Sequence, residues 1–490
     1  MTGTGTTGHD DVSPKLDPHE LEREHADADP TRPDGKRQAR SSVRSRHPSN
    51  GLPLVVSTPL SRGSEEHPPV VAMAPLTRRE RRLRRKERIR GRRSVLGRHP
   101  KSTVLIVILL ALTPVWVSAG SAATNQALGN TVGSRLTEWV RDHGGGGVVT
   151  WAENTWYTWH APPKGGKPEP GAIPLPSRST TTVPAGPAHL PAPAAIVPFV
   201  TDPTPGEGQW HPIGRDVDGV PAMYAAYLRP NAVNTSLVTG VAWMDTTLLR
   251  ATLYEGTSIP GTGQQWIDEA PVAGQALDTL VAAFNSGFRM QDAQGGFYAD
   301  GVTAVPLVAG AASLVIDSNG TPTIGAWGTD VTMSPSVVAV RQNLHLIVDN
   351  GQPVPGLVDN DFSHWGFTLG NKVQVWRSGL GVTADGALVY VGGSGLSIVD
   401  LANVLARAGA VRAMELDINT AWVNFTSFDP AAGQPASAAD GTDLTEDEAT
   451  YPSRYFEPLS RDFVTMSART SATPPPTTTT TTSVGPQAGG

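Results

Sequence analysis

The chain has no cysteine among its 490 residues, and aromatic side chains make up only 6% of it. The absence of cysteine excludes disulfide frameworks, thiolate zinc sites, iron–sulfur clusters and thiol nucleophiles. Any chemistry must therefore use oxygen, nitrogen and imidazole groups. Glycine and proline are abundant by contrast, with 52 and 43 residues, a composition that indicates long linkers around a folded part.

Positive charge is concentrated in one segment. Between Arg78 and Lys101 the chain holds 13 Lys and Arg residues against Glu80 and Glu87, a local net charge of +11, whereas residues 124–490 hold 17 basic and 32 acidic residues. Such a basic segment also occurs in nucleic-acid-binding proteins. Its position directly before an uncharged apolar stretch favours control of membrane topology and contact with anionic lipids, so we predict no nucleic-acid partner.

Residues 103–123 form an apolar stretch of 21 residues without a formal charge. As a helix it measures about 31 Å, close to the hydrocarbon thickness of a bilayer, which predicts a transmembrane helix. Because positive flanks stay in the cytoplasm, we expect a single-pass cell-membrane protein with its N-terminus inside and its main domain extracellular. A cleaved signal peptide and a buried core helix are the alternatives; the long basic leader favours the anchor.

Composition divides the rest of the chain. Residues 1–77 are polar and lack apolar periodicity, which predicts a disordered cytoplasmic tail, and 78–101 is the basic juxtamembrane segment. Residues 124–206 are predicted to be an extracytoplasmic stalk and Pro-rich linker. Residues 207–468 are predicted to fold, and the Pro- and Thr-rich residues 469–490 to form a second disordered tail.

The predicted folded region is rich in short apolar runs bounded by turn residues, the pattern of β-strands. The strand candidates are Val305–Ile316, Val337–Val340, Leu344–Val348, Val373–Trp376, Ala387–Val391 and Val411–Leu416. Helices are predicted over Ser397–Ala408, where Ser397 is a capping residue, and around Gly274–Ala283. These elements predict a strand-rich α+β domain.

Charged residues at strand ends are the candidates for chemistry. Asp417 follows the predicted buried strand, and Glu415 shares its strand face, so the two carboxylates can act as an acid/base pair. Arg377 follows another predicted strand beside small residues and could hold a phosphate or carboxylate. The alternatives are a turn cap for Asp417 and a surface salt bridge for Arg377.

No histidine pair has the spacing of metal ligands, and we predict neither a cofactor nor a metal site. Asp349, Asp359 and Asp361 supply the oxygen ligands that calcium prefers, but a solvated loop is the preferred interpretation.

Three motifs, in this order, carry a family resemblance: FNSGF with GGFYADG, then WRSGLGVTADGALVYV, then AGAVRAMELDIN. Their order and spacing over residues 235–428 resemble the phosphodiester glycosidase family, which includes the enzyme that uncovers mannose 6-phosphate by removing N-acetylglucosamine. The ELDIN form resembles a membrane-anchored actinobacterial branch. The resemblance implies an α/β sandwich-like domain that hydrolyses a sugar 1-phosphodiester.

The resemblance also implies site residues. Asn285 and Gly287 match the family's Asn-Gly-Gly-Phe loop, Arg377 its arginine, and Asp417 the aspartate of its Asp-Gly-Gly-Gly-Ser motif, whose next positions here are Ile418-Asn419-Thr420. The hypothesis gives Asp417 the base or nucleophile role, with Glu415 and Arg377 as its catalytic partners. Arg377 is expected to bind the phosphate. The predicted substrate-binding residues are Asn285, Gly287, Arg289 and Asn419.

The rival hypothesis is a non-catalytic module of the same fold that binds a cell-envelope glycan or phosphoglycan. Convergence of Asp417, Arg377 and Asn285 on one pocket favours the enzyme, and separation of these side chains favours similarity of fold alone.

Overall fold

The computed structural model describes residues 77–93, 100–125, 128, 131–159, 162–175, 189–261, 263–368, 371–448 and 451–469. The predicted N-terminal tail up to residue 76 and the predicted C-terminal tail beyond Arg469 lie outside the described residues. Every described strand lies within one compact unit, Gly91–Gly490.

Helices are few in the folded region. The α-helices are α1 (Arg78–Arg93), α2 (Pro100–Ala111), α3 (Thr113–Thr124), α4 (Val132–Val140), α5 (Gly146–Trp159), α6 (Ala276–Thr279), α7 (Phe362–Trp365) and α8 (Ile398–Arg407). A π-helical turn, Arg141–Gly145, joins α4 to α5, and 3₁₀ turns lie at Ala438–Asp440 and Pro452–Phe456.

The predicted transmembrane stretch is divided between α2 and α3, which meet at a bend of 45°. Pro114 lies in the first turn of α3. Its ring crowds the carbonyl four residues earlier, and it has no backbone N–H to donate, so one continuous helix is interrupted here. Within the described residues no single helix is long and apolar enough to cross a membrane, while α2 and α3 together meet that test by length and composition.

Twenty strands build the rest of the fold. They are β1 (His211–Pro212), β2 (Asp216–Val217), β3 (Val220–Pro221), β4 (Met223–Leu228), β5 (Thr239–Met244), β6 (Leu249–Tyr254), β7 (Leu280–Asn285), β8 (Phe297–Ala299), β9 (Val302–Val305), β10 (Ala312–Asp317), β11 (Pro322–Ala326), β12 (Val337–Gln342), β13 (Leu346–Asp349), β14 (Gln352–Pro353), β15 (Val375–Thr383), β16 (Leu388–Leu396), β17 (Ala410–Glu415), β18 (Phe425–Phe428), β19 (Gly441–Asp443) and β20 (Phe463–Ala468).

Three main sheets contain these strands. The large sheet has the order β1-β4-β5-β16-β15-β17-β13-β14, and the two smaller sheets have the orders β11-β10-β12-β8-β9 and β19-β18-β7-β20-β6. A short β2-β3 hairpin lies apart from them. The named strands pair antiparallel throughout the described chain, so the architecture is α+β, as the sequence predicts.

The large sheet is buried on both faces. Alternate residues of β4 divide between them: Met223 and Ala225 join a core with residues of both smaller sheets, whereas Tyr224 and Ala226 join a core with α8. This alternation follows from the two-residue period of a strand. Residues before the predicted domain start contribute as well, since Ile196 belongs to the α8 core.

The local predictions met different outcomes. The predicted helix at Ser397–Ala408 is confirmed as α8, and the strand Val411–Leu416 is confirmed as β17 within a residue at each end. The predicted strand Val305–Ile316 is divided by a turn between β9 and β10. The helix predicted around Gly274–Ala283 is wrong: only the four residues of α6 are helical, and β7 begins at Leu280.

Candidate functional site

The candidate site lies where one smaller sheet meets the large sheet. β7 ends at Asn285, which pairs with Phe463 at the start of β20, and Phe284 pairs with Phe425 at the start of β18. Antiparallel pairing therefore brings the end of β7 and the beginnings of β18 and β20 to the same edge. The segment after β17 joins this edge through Ser378 of β15, whose Oγ accepts hydrogen bonds from Asn285 Nδ2 at 3.0 Å and from the Asp417 amide at 3.2 Å.

A small pocket with a cavity volume of about 10 Å³ opens at this edge. It is lined by Asn285, Gly287, Asp417, Trp422, Arg454, Tyr455, Leu459, Arg461, Asp462 and Phe463. A cavity needs roughly 10–15 Å³ to hold one water molecule. The pocket as it stands is therefore about the size of one small polar group.

Asp417 is held by its backbone and by one of its carboxylate oxygens. Ser378 N donates to its carbonyl at 2.9 Å, and Asp417 Oδ1 accepts the backbone amides of Ile418 at 2.8 Å and Asn419 at 3.0 Å. Its Oδ2 lies 3.8 Å from Arg461 Nη1. The side chain is thus fixed through Oδ1 while Oδ2 is available to a bound molecule.

The electrostatic setting of Asp417 combines two opposing effects. Burial raises the pKa of the Asp417 carboxyl, while the positive charge of Arg461 and the two amide hydrogen bonds act to lower that pKa. Burial is the larger effect, because removing a carboxylate from water disfavours its charged form. Asp417 therefore accepts a proton more readily than an exposed aspartate does.

Ile418, which replaces a family glycine, packs in a small apolar cluster. It contacts the cluster of Phe288, Ala293 and Leu344, and a Cβ at Gly366 would come within 2.8 Å of its Cδ1. The bulky side chain is thus directed into the protein, and Asp417 keeps its place in the pocket.

Asn285 and Gly287 lie in the pocket wall. Besides donating to Ser378, Asn285 accepts hydrogen bonds at its Oδ1 from Tyr390 Oη at 2.9 Å and from Asn424 N at 3.1 Å. A Cβ at Gly287 would lie 3.1 Å from the guanidinium carbon of Arg341. The Asn-Ser-Gly-Phe loop therefore needs a small residue where it passes Arg341.

Arg341 and Asp462 form a buried ion pair behind this loop. Arg341 Nε donates to Asp462 Oδ2 at 2.6 Å, and its Nη2 donates to the Phe288 carbonyl. Ser286 Oγ donates to the same Asp462 oxygen. Asp462 thus reaches the pocket already neutralised by Arg341.

The structure places Arg377 and Glu415 against each other instead of in the pocket lining. Arg377 Nη1 donates to Glu415 Oε1, and its Nε donates to the Leu396 carbonyl at 3.1 Å. Both side chains are 1% exposed. Burial raises the pKa of Glu415 to about 7 even with Arg377 beside it. The buried pair therefore matches neither the pocket role nor the surface salt bridge considered for Arg377.

The two remaining predicted substrate contacts have partners elsewhere. Arg289 forms ion pairs with Glu138 of α4 and with Asp142, the latter at 3.5 Å. Asn419 Oδ1 accepts the Ala421 amide at 2.9 Å within a turn. Neither residue belongs to the pocket lining. Their predicted roles on a substrate remain predictions.

Seven of the ten lining residues were not predicted from the sequence, and three of them carry hydrogen-bond donors at the pocket: Trp422, Arg454 and Arg461. The guanidinium carbon of Arg461 lies 4.5 Å from the centroid of the Trp422 ring, and that of Arg454 lies 5.4 Å from it. A signal for Arg461 was present, because Arg461-Asp462 directly precedes the apolar strand β20, as Asp417 directly follows β17.

Within the described residues, no group of three or more His, Asp or Glu side chains is arranged to hold a metal ion. The three carboxylates considered for calcium have separate partners. Asp349 pairs with Arg412, Asp359 accepts the Val399 amide, and Asp361 caps α7.

The family model of phosphodiester glycosidases matches residues 278–417, which confirms the resemblance carried by the sequence motifs. The match begins two residues before β7 and ends at Asp417, so it includes the Asn285 loop and the Arg377–Glu415 pair. Trp422, Arg454 and Arg461 lie beyond it. No curated protein matches the chain.

Several solved structures are similar to this chain, including the following two. One is the zebrafish N-acetylglucosamine-1-phosphodiester alpha-N-acetylglucosaminidase catalytic domain, auto-inhibited by its pro-peptide, with 13% identity, a TM-score of 0.34, and coverage of 53% of this chain and 87% of that one. The other is a hypothetical protein from Synechocystis, with 11% identity, a TM-score of 0.25, and coverage of 50% and 64%. Both TM-scores are below 0.5.

Proposed function

We propose that the chain hydrolyses a sugar 1-phosphodiester in the pocket that contains Asp417. The observation that supports this most directly is Asp417 itself. It is buried, its Oδ1 is fixed by two amides, and its Oδ2 faces a pocket shared with Asn285 and Gly287, all three within the stretch that matches the family model.

The proposed reaction breaks the bond between the anomeric carbon and the phosphate oxygen. The electron pair of that bond passes to the oxygen, which leaves as a phosphate monoester, and water supplies the hydroxyl group that the sugar gains. Asp417 either attacks the anomeric carbon or takes the proton of the attacking water. A phosphate monoester leaves without strong acid assistance, so one free carboxylate suffices, consistent with Glu415 and Asp462 being paired to arginines.

The Arg377–Glu415 pair has a supporting role in this proposal. The pair lies where β15, β16 and β17 meet, and β17 is the strand that leads to Asp417. Removing one partner of a buried ion pair leaves an uncompensated charge, which strongly destabilises a protein. We therefore assign Arg377 and Glu415 to fixing the strand that presents Asp417.

The finer setting proposed is a membrane-anchored hydrolase acting on cell-envelope glycans outside the cytoplasm. The support is the uncharged stretch 103–123, now divided between α2 and α3, directly after the basic helix α1. Eleven net positive charges on this flank favour a cytoplasmic N-terminus and contact with anionic lipids.

The test uses the full chain and an aryl sugar 1-phosphodiester, with released sugar quantified for the wild type and for Asp417→Asn. We expect release by the wild type and a loss of turnover of at least about 1,000-fold in the variant, because the amide keeps the shape but cannot act as nucleophile or base. The matched control is Asp429→Asn, the same substitution at an exposed residue beyond the far end of β18.

Unchanged turnover in Asp417→Asn would remove this residue from the mechanism. If the folded wild type binds the phosphodiester without releasing sugar, the rival hypothesis of a glycan-binding module replaces the enzyme.

A further inference from the structure

Three hydrogen-bond donors in the pocket are buried without a partner. They are Arg461 Nη1, Arg454 Nε and Trp422 Nε1, and each belongs to a residue of the pocket lining. The great majority of buried polar groups in proteins have a hydrogen-bond partner, because an unpaired one destabilises the fold. Three unpaired donors around one cavity therefore indicate a bound group rich in acceptor oxygens.

The side chains of Arg461 and Arg454 are held by contacts with neighbouring groups. Trp422 lies beside both guanidinium groups, with Arg461 at 4.5 Å and Arg454 at 5.4 Å from its ring centroid. Arg454 Nη1 is also fixed by the Ala421 carbonyl at 3.3 Å. Stacking on an aromatic face holds a guanidinium in one plane, which lowers the entropy lost when an anion binds.

The charges around the pocket leave these arginines available to a ligand. Asp462 accepts hydrogen bonds from Arg341 and Ser286, so it shares its charge with groups other than Arg461. Asp417 Oδ2 lies 3.8 Å from Arg461 Nη1, beyond hydrogen-bond distance. An anion with several oxygens can therefore contact Arg461 beside Asp417 without displacing an existing hydrogen bond of either side chain.

We propose that Arg461, assisted by Arg454 and Trp422, binds the phosphate group of the substrate, the role that the sequence analysis gave to Arg377. This inference rests on the proposed function and names the residues that recognise its anionic group. Arg377 is unsuited to the role because its guanidinium already serves Glu415 and the Leu396 carbonyl.

The arrangement also specifies the chemistry of the leaving group. With the phosphate on Arg461, the anomeric carbon lies toward Asp417. When the bond between that carbon and the phosphate oxygen breaks, the oxygen gains the electron pair and a negative charge. A fixed guanidinium stabilises this developing charge more than the ground state, so Arg461 acts mainly on the rate.

The first measurement is the binding of inorganic phosphate to the full chain, followed by calorimetry, for Arg461→Gln, Arg461→Lys and the wild type. We expect Arg461→Gln to weaken binding at least about tenfold, and Arg461→Lys to weaken it less, since lysine keeps the charge and loses the fork geometry. Asp417→Asn should bind phosphate at least as tightly as the wild type. Arg250→Gln, at an exposed residue of β6, is the charge-matched control and should leave binding unchanged.

The second measurement is turnover of the aryl sugar 1-phosphodiester. We expect Arg461→Gln to lower kcat by about 100-fold or more, with a smaller change in KM. Thermal unfolding checks that each variant is folded; if Arg461→Gln does not fold, the comparison of Arg461→Lys with the wild type decides.

The outcomes separate the two proposals. Phosphate binding that depends on Arg461, with no hydrolysis by the wild type, supports the anion site and overturns the hydrolase. If the wild type hydrolyses the substrate and folded Arg461→Gln does so at the same rate, the role of Arg461 is overturned and the hydrolase proposal stands. Where only Arg461→Lys folds, the same comparison is made with that variant. If the wild type and the folded Arg461 variant bind phosphate equally tightly, the role of Arg461 is also overturned.

Discussion

The two oxygens of the Asp417 carboxylate have different surroundings. Oδ1 accepts two backbone amides, as in a turn cap, and Oδ2 faces the pocket. The two interpretations that its sequence position allowed, a turn cap and a functional carboxylate, are therefore compatible in one side chain. A fixed carboxylate loses little entropy when it reacts, which favours catalysis.

The pH dependence of turnover should report the burial of Asp417. The reaction needs the ionised carboxylate, and burial raises the pKa of this group above its ordinary value of 3.8. We expect kcat/KM to fall as the pH is lowered, with the midpoint of the fall above pH 3.8. A pH–rate profile of the wild type measures this, with Asp429→Asn as a control of unchanged midpoint; an acid limb below pH 3.8 would contradict the argument.

Gly287 is required by a close approach and not by its backbone angles. A Cβ at this position would lie 3.1 Å from Arg341 Cζ and 3.1 Å from its Nη2. We expect Gly287→Ala to displace Arg341 from Asp462 and to lower the free energy of unfolding by about 1–3 kcal/mol. Urea denaturation measures the loss. Gly301→Ala is a comparison of a different kind, because space at Gly301 is open and an alanine there would be strained by its left-handed backbone alone.

If Gly287→Ala keeps wild-type stability, the contact with Arg341 does not constrain the loop.

At the scale of elements, the site depends on the antiparallel pairing of β7 with β18 and β20. Val281, Ala282, Ala283 and Phe284 are all 0% exposed, because β7 is central in its sheet and covered on both sides. A short, continuously apolar run has no two-residue alternation, so its pattern resembles a buried helix. This ambiguity explains why the helix predicted around Gly274–Ala283 is wrong.

The helix α8 begins after a capping residue, Ser397. Ser397 Oγ accepts the Asp400 amide at 3.0 Å, and Asp400 Oδ2 accepts the Ser397 amide at 3.2 Å, a capping box. We expect Ser397→Ala to lower the free energy of unfolding by about 1 kcal/mol, measured from the urea midpoint. Ser397→Thr keeps the hydroxyl and should lose less; equal losses in the two variants would show that the cap contributes nothing.

At the scale of the whole molecule, the stability of the domain is coupled to a buried acid outside the pocket lining. Glu255 follows β6, is 1% exposed, and its Oε2 has no hydrogen-bond partner. Burial first, and then the negative charges of Asp300 and Asp268, raise the pKa of Glu255 to about 9. The folded state therefore holds this proton more tightly than the unfolded chain, whose glutamate ionises near 4.5.

The resulting prediction concerns stability against pH. Because the folded protein binds more protons than the unfolded chain between about pH 4.5 and pH 9, the contribution of Glu255 to stability falls as the pH rises through that window. We expect Glu255→Gln to be more stable than the wild type at pH 8 by about 1–3 kcal/mol, with a smaller difference at pH 5. Thermal denaturation at the two pH values measures this, and a difference independent of pH would contradict it.

The sequence predicted much of the element pattern because the evidence for it is local. The capping residue and apolar stripe of α8, the buried run of β17 and the turns after β13 and β15 are all encoded within a few neighbouring residues. The predicted membrane helix followed from composition, but the bend between α2 and α3 depends on Pro114, a single residue that a count of apolar residues does not register.

By itself, the sequence determined the resemblance to phosphodiester glycosidases and predicted Asp417, Asn285 and Gly287 as site residues, since these residues lie in short motifs of fixed order. Only the tertiary structure decided how the arginines divide. Arg377 is buried against Glu415, whereas Arg461, 44 positions after Asp417, reaches the pocket. That division depends on which strands pair, because pairing sets residues from distant parts of the chain side by side. Contacts between strands far apart in the chain leave no local pattern in the sequence.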